Sequence, residues 1–177
     1  MQIRTVLLKS QKEGFRIEME VFLSHLLGWE RVRLLANSEQ ELPVRHLAAL
    51  QSGWLKIREG FPVAYLTHEK EFFGHSFYVD ERVLVPRGET ELLVEMVLEK
   101  ADELSARGVQ PVKILEIGTG SGAIALSLKK TNPELEIAAT DISPEALEVA
   151  NKNCVQLGAE LRLLESDLLE KIPAEEF

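Results

Sequence analysis

The stretch Lys113-Ile-Leu-Glu-Ile-Gly-Thr-Gly-Ser-Gly122 constrains this chain more than any other. An apolar run with β-branched residues (Val112, Ile114, Ile117) is cut off by glycines at 118, 120 and 122. A helix-compatible segment, Ala123 to Lys130, follows. The order is strand, tight turn, helix. Glycine lets the backbone turn sharply and lets a ligand approach without meeting a Cβ. The N–H groups that open the next helix then face that ligand. A turn of this build holds a nucleotide-like cofactor.

Which cofactor is less constrained. Gly118-Thr119-Gly120-Ser121-Gly122-Ala123 also satisfies the loose dinucleotide pattern. Asp141 follows about 20 residues on, at the end of a second apolar run, as in a nicotinamide fingerprint. A carboxylate there accepts hydrogen bonds from ribose hydroxyls in either case. The compact glycine triplet behind the acidic Glu116 favours an adenosine with a short charged tail, S-adenosylmethionine, because a pyrophosphate needs the helix N-terminus bare. NAD stays as the alternative.

The pattern around this turn is α/β. Strand Val112–Ile117 leads to a helix over 121–131 that stops at Asn132-Pro133. Strand Glu136–Thr140 leads to Asp141. Ser143 caps the next helix and Pro144 takes its first position, where a missing N–H costs nothing. That helix ends at Gly158, and a third strand spans Leu161–Leu164. Strands separated by helices make a parallel, Rossmann-like sheet.

Upstream the pattern changes. Residues 1–66 read as helical. Ile17, Phe22, Leu23, Leu26 and Leu27 give one amphipathic helix ending at Gly28. Leu47, Leu50, Trp54 and Ile57 give another, which tolerates Gly53 at about 1 kcal/mol. Over 71–86, Phe72, Phe73, Phe77, Tyr78, Val79 and Val83–Val85 look extended, with turns at Gly74-His75 and Asp80-Glu81. A helix from about Glu89 to Ala106 follows, with Leu93, Met96, Val97, Ala101 and Leu104 as its expected buried stripe. The organisation expected is a helical domain over 1–70, a β-hairpin linker over 71–88 and a cofactor-binding domain over 89–177.

Composition excludes several classes. A net charge of −9 argues against broad binding to a phosphate backbone. No apolar run approaches the roughly 20 residues of a membrane helix, and the N-terminus lacks the shape of a signal peptide. One cysteine, Cys154, allows no internal disulfide and suits a reducing cytoplasm. The four histidines are scattered without ligand spacing, so no metal site is expected.

Three blocks carry a resemblance to a known family. They are Phe61-Pro-Val-Ala-Tyr65 with Glu71-Phe-Phe-Gly74 and Phe77-Tyr-Val79; Val83-Leu-Val-Pro-Arg87-Gly-Glu-Thr-Glu91-Leu-Leu-Val-Glu95; and Ile114–Leu126 with Ala139–Leu147. The third alone resembles any class I methyltransferase. With the second, beside a helical N-terminal domain, the chain resembles the HemK/PrmC family of release-factor glutamine N5-methyltransferases. It departs from the family's usual glycine at His68 and usual proline at Gly88.

The resemblance implies a helical substrate-recognition domain and the first three parallel strands of an S-adenosylmethionine-dependent methyltransferase domain, joined by the hairpin. It implies cofactor contacts from Gly118, Thr119, Gly120, Ser121, Gly122 and Asp141, with Asp167 and Leu168 beside adenine and Arg87 at the mouth. It implies a release factor as protein substrate, through the glutamine of its Gly-Gly-Gln loop. The family's Asn-Pro-Pro-Tyr signature is absent from these 177 residues. The expectation is therefore a cofactor-binding fragment without appreciable turnover and with no catalytic residue to assign. Its first parallel strand should have a bare edge prone to dimerisation or aggregation. The alternatives are a fragment of a nucleic-acid adenine methyltransferase and a non-catalytic release-factor or cofactor-binding module.

Some residues have two readings. Glu116 is either a cofactor-tail contact or a strand end that orients the loop. Arg87 either lines the mouth or pairs with Glu89 or Glu91. Cys154 reads as a buried small residue, and Trp29 and Trp54 as helix packing.

Overall fold

The computed structural model describes residues 1–172. The chain forms two compact units, Met1–Thr67 and a second that begins at His68. Their charges differ. The first carries nine Lys and Arg against seven Asp and Glu, leaving eleven against twenty-two for the second.

The first unit holds α1 (Ile3–Lys12), α2 (Arg16–Leu27), α3 (Arg31–Ala36), α4 (Leu47–Arg58) and α5 (Val63–Thr67). Ile3, Leu7, Met19, Leu23, Leu34 and Ile57 are its buried centre. Helix α2 ends as expected at Gly28, whose left-handed backbone lets its N–H bond back to the His25 carbonyl. Gly53 has a packing reason: a Cβ there would lie 2.2 Å from Cζ of Phe22. The Phe22 ring occupies the notch that glycine leaves in α4. Glu20 is buried beneath this surface and accepts hydrogen bonds from Arg16 and, at 2.7 Å, from Arg31. Burial opposes its ionisation, but the two guanidinium groups outweigh burial and hold its pKa below the ordinary value.

The second unit opens with β1 (Lys70–Phe72) and β2 (His75–Phe77), paired antiparallel with Lys70 opposite Phe77. The hairpin turn is Phe73-Gly74, both at positive φ, one residue earlier than the pattern suggested. Two central residues of that conformation match the twist of the flanking strands. Phe72 and Phe77 lie in the core of the second unit, so the segment expected as a linker packs as part of that unit. No strand forms at Val83–Val85. There Asp80 takes over the backbone: its carboxylate accepts from the Arg82 N–H, and its carbonyl accepts from the Val83 N–H. This is an Asx-type turn that interrupts the extended run.

A 3-10 turn, Gly88–Thr90, leads into α6 (Glu91–Ala106). Its buried stripe is Val94 and Ala101, with Val97, Leu98 and Leu104 packed alongside. Leu93 and Met96, expected in that stripe, are 46% and 58% exposed. The stripe runs 94, 97/98, 101, 104, and residues 93 and 96 fall about 100° round the helix.

Then come β3 (Lys113–Ile117), α7 (Ala123–Thr131), β4 (Glu136–Asp141), α8 (Pro144–Leu157) and β5 (Arg162–Glu165). The strands are parallel in the order β3-β4-β5, with Leu115 opposite Ala138 and Ala139 opposite Leu163. Residues 137–140 of the central strand are all buried, as a parallel sheet requires. Among the described residues β3 has a partner strand on one side only. Ser143 caps α8 through its hydroxyl, which accepts from the Ala146 N–H at 3.1 Å. The carboxyl ends of all three strands meet at the glycine turn and Asp141.

Candidate cofactor site

The turn after β3 is held from below by β4. The Gly118 and Thr119 N–H groups both donate to the Thr140 carbonyl at 2.8 Å, and the Gly122 N–H donates to the Thr119 carbonyl at 2.9 Å. All three glycines have positive φ, which other residues adopt only with strain. Their surroundings differ. A Cβ on Gly118 or Gly120 would meet nothing within 4 Å, so the turn leaves open space above those two positions. A Cβ on Gly122 would lie 3.2 Å from Leu126 Cδ1 and 3.4 Å from Ala150 Cβ. Gly118 and Gly120 thus leave a cradle, and Gly122 lets α7 approach α8.

Two carboxylates shape this cradle. Asp141 Oδ2 accepts from the Gly120 N–H at 2.8 Å, and Oδ1 accepts from the Ser143 N–H at 3.0 Å. Glu116 Oε2 accepts from Thr119 Oγ1 at 2.8 Å and from the Ala125 N–H at 3.1 Å. Glu116 therefore orients the loop: it clamps the turn through Thr119 and caps the first turn of α7 through Ala125. Its donors are neutral. Burial pushes its pKa up to about 7, the two hydrogen bonds resist, and the neighbouring Asp141 charge adds to the rise.

The remaining expected residues are placed less closely. Ser166 donates its N–H to the Asp141 carbonyl at 3.0 Å, which ties the end of β5 to the same corner. Asp167 and Leu168 follow directly and are exposed, Leu168 with φ +47. Arg87 is exposed and, among the described residues, pairs with neither Glu89 nor Glu91. Glu91 instead accepts from the Phe73 N–H at 3.1 Å. The structure thus joins Gly118–Gly122, Glu116 and Asp141 by hydrogen bonds, and Arg87 stands apart from that network.

One member of the network has only a faint signal in the sequence. Asn153, fully buried in α8, donates to the Ser121 carbonyl inside the turn at 2.9 Å. An asparagine in mid-helix is the only hint, since its amide is a poor helix former without a partner. Elsewhere, among the described residues, no His, Cys, Asp and Glu group could hold a metal ion, and no helix is long and apolar enough to cross a membrane. Trp29 and Trp54 lie under Arg33 and Arg58.

Residues 88–177 match the family described as methyltransferase small domain, and residues 2–67 match the PrmC N-terminal domain. The chain is similar to the release factor glutamine methyltransferase of Leptospira interrogans, 42% identical over 170 residues, covering 94% of this chain and 58% of that protein. It is 37% identical over 156 residues to that of Chlorobaculum tepidum, covering 87% and 53%. For that of Escherichia coli the values are 35% over 166 residues, 93% and 58%. The chain spans about half the length of the curated relatives it matches. Among solved structures it is similar to a ribosomal protein L11 methylase from Lactobacillus delbrueckii, with 28% identity, a TM-score of 0.40 and coverage of 49% and 42%. With a PrmC N-terminal domain ahead of a parallel, glycine-turn sheet, the chain belongs to the methyltransferase small-domain family in its HemK/PrmC branch.

Proposed function

We propose that this chain binds S-adenosylmethionine at the Gly118–Gly122 turn. We further propose that it serves the transfer of a methyl group to the side-chain amide nitrogen of the Gly-Gly-Gln glutamine in peptide-chain release factors. One observation carries the cofactor reading. Glu116 sits on the Ala125 N–H, so the first turn of α7 already holds a carboxylate. With that N–H taken and the Asp141 carboxylate on the Gly120 N–H, a pyrophosphate would meet carboxylates in place of free donors, whereas a cofactor bearing cationic groups gains from them. The relatives' printed names support the substrate.

S-adenosylmethionine supplies, when bound, a methyl group on a cationic sulfur. The residues of this chain bind and orient. Gly118 and Gly120 leave room for close approach, and Asp141 presents a carboxylate at the ribose position that the fold predicts. Thr119, Ser121, Asp167 and Leu168 border the same corner, and Arg87 is assigned to its mouth. No residue here is assigned to hold the amide nitrogen in line, because the Asn-Pro-Pro-Tyr segment is absent from the sequence. The role proposed for these residues is to bind and orient the cofactor. The helical unit is the proposed contact with the release factor, the free side of β3 a proposed contact with a second copy, and the cytoplasm the proposed compartment.

Calorimetric titration with S-adenosylmethionine, with NADH as competitor, tests the reading. Saturable binding that NADH fails to displace supports it. A folded chain that binds NADH and not S-adenosylmethionine overturns it. Methylated glutamine formed by this chain alone would overturn the expectation of no turnover.

A further inference from the structure

We propose that Asn153 is a positioning residue that sets the conformation of the cofactor turn and couples it to the segment around Tyr78. The inference deepens the cofactor reading and rests on it for its functional consequence. Asn153 is fully buried. Its Oδ1 accepts from the Tyr78 N–H at 2.7 Å, and its Nδ2 donates to the Tyr78 carbonyl and to the Ser121 carbonyl, both at 2.9 Å. One carboxamide thus pairs with Tyr78 as a neighbouring strand would, and spends its remaining donor on the turn.

The peptide between Ser121 and Gly122 is thereby held on both sides. Its carbonyl goes to Asn153, and its N–H goes to the Thr119 carbonyl. Helix α8 supplies a second restraint one turn earlier, where Ala150 fills the space beside Gly122. Residues 150 and 153 share a face, so this face of α8 is the template on which the turn is cast. At the other end, Tyr78 is well anchored: Lys152 Nζ lies 3.0 Å from its ring centroid, His68 stacks at 5.4 Å, and its hydroxyl donates to Asp80. A buried amide costs stability unless every polar atom is paired. An apolar residue would serve packing alone, as Val149 and Ala150 do on the same helix. Gln156 offers a control, because its Nε2 ties α8 to the Ser76 carbonyl without reaching the turn.

The test compares Asn153→Ala, Asn153→Asp and Gln156→Ala in the full chain by amide hydrogen exchange and by titration with S-adenosylhomocysteine. Loss of the donated bonds at Asn153 should speed exchange at 118–122 and 76–80 together, with β4 unchanged. It should raise the dissociation constant about tenfold, as expected for one or two neutral hydrogen bonds. Asn153→Asp keeps the acceptor for the Tyr78 N–H but sets its second oxygen against the Tyr78 and Ser121 carbonyls, so it should disturb the turn more than Asn153→Ala. Gln156→Ala should speed exchange near Ser76 and leave the dissociation constant alone. Exchange that rises evenly through β4 and α7 overturns the proposal, since Asn153 is then only a packing residue. A turn that keeps wild-type exchange in either variant also overturns it. If the wild-type chain binds no S-adenosylhomocysteine while the turn still responds, the cofactor reading fails and the positioning role stands.

Discussion

Each unit ties a glutamate into its fold, Glu20 buried and Glu116 half-buried, and the two are treated in opposite ways. Glu20 lies beneath the helical unit between two guanidinium groups, and its carboxyl is held below the ordinary range. Glu116 lies beneath the glycine turn, bonded to a hydroxyl and an amide, with Asp141 as the charge beside it, and its carboxyl is pushed up to about 7. The first site is electrically closed and has only structure to serve. Among the described residues no cationic side chain pairs with either carboxylate of the second, which lies beside open space over Gly118 and Gly120. A protein keeps an arrangement of that kind where something positive is to arrive.

The largest expected effect comes from opening the closed site. Replacing Arg16 and Arg31 together by Met strands the Glu20 carboxylate and should cost about 3 kcal/mol at pH 7. Urea midpoints should show that cost shrinking toward pH 5 as Glu20 takes up a proton. In the wild type the sign is reversed. A lowered folded pKa contributes stability above the unfolded value of 4.5, lost as pH falls through the folded value. If the double variant unfolds at the wild-type midpoint, the contrast between the sites is broken.

Glu116 should behave oppositely. Its folded pKa of about 7 exceeds the unfolded 4.5, so its burial is free of charge cost below pH 4.5. The cost grows as pH rises from 4.5 to 7 and is constant above. Glu116→Gln should therefore gain about 3 kcal/mol relative to wild type between pH 4.5 and pH 8, read from urea midpoints at both ends. A flat difference would mean that Glu116 is ionised throughout.

Asp141→Asn keeps an acceptor for the Gly120 N–H but removes the charge. Affinity for S-adenosylmethionine should fall about tenfold by calorimetry. Unchanged affinity would make the charge irrelevant and return the comparison to packing alone. The smallest effect belongs to an exposed pair. Arg4 and Glu39 are 2.6 Å apart but 60% and 64% exposed. Glu39→Gln should move the thermal midpoint by less than about 0.5 kcal/mol equivalent.

Local chemistry explains which parts were legible in the sequence. Ser143-Pro144 carries both halves of a helix start, so α8 begins where its residues say it must. The glycine triplet forces a turn after β3 at one place only. What escaped reading depends on contacts remote in the chain. Leu93 and Met96 are as apolar as Val94 and Val97, and only the packing of α6 decides which pair is covered. Val83–Val85 has strand composition, but Asp80 captures the backbone first. His68 stands at φ +54, which explains why glycine suits that position, and its ring stacks on Tyr78. Glu116 has two readings in the sequence, and its bond to the Ala125 N–H, nine residues on, decides between them. Asn153 was barely visible because its three bonds reach residues 32 and 75 positions away.

The notch at Gly53 has a consequence of another kind. The edge of the Phe22 ring rests where a side chain would begin, against the backbone of α4. A ring seated so closely cannot turn over until α2 and α4 part. Its two edges should then give separate NMR signals at low temperature, merging as the helices begin to breathe. The coalescence temperature of one aromatic ring would time the parting of α2 from α4.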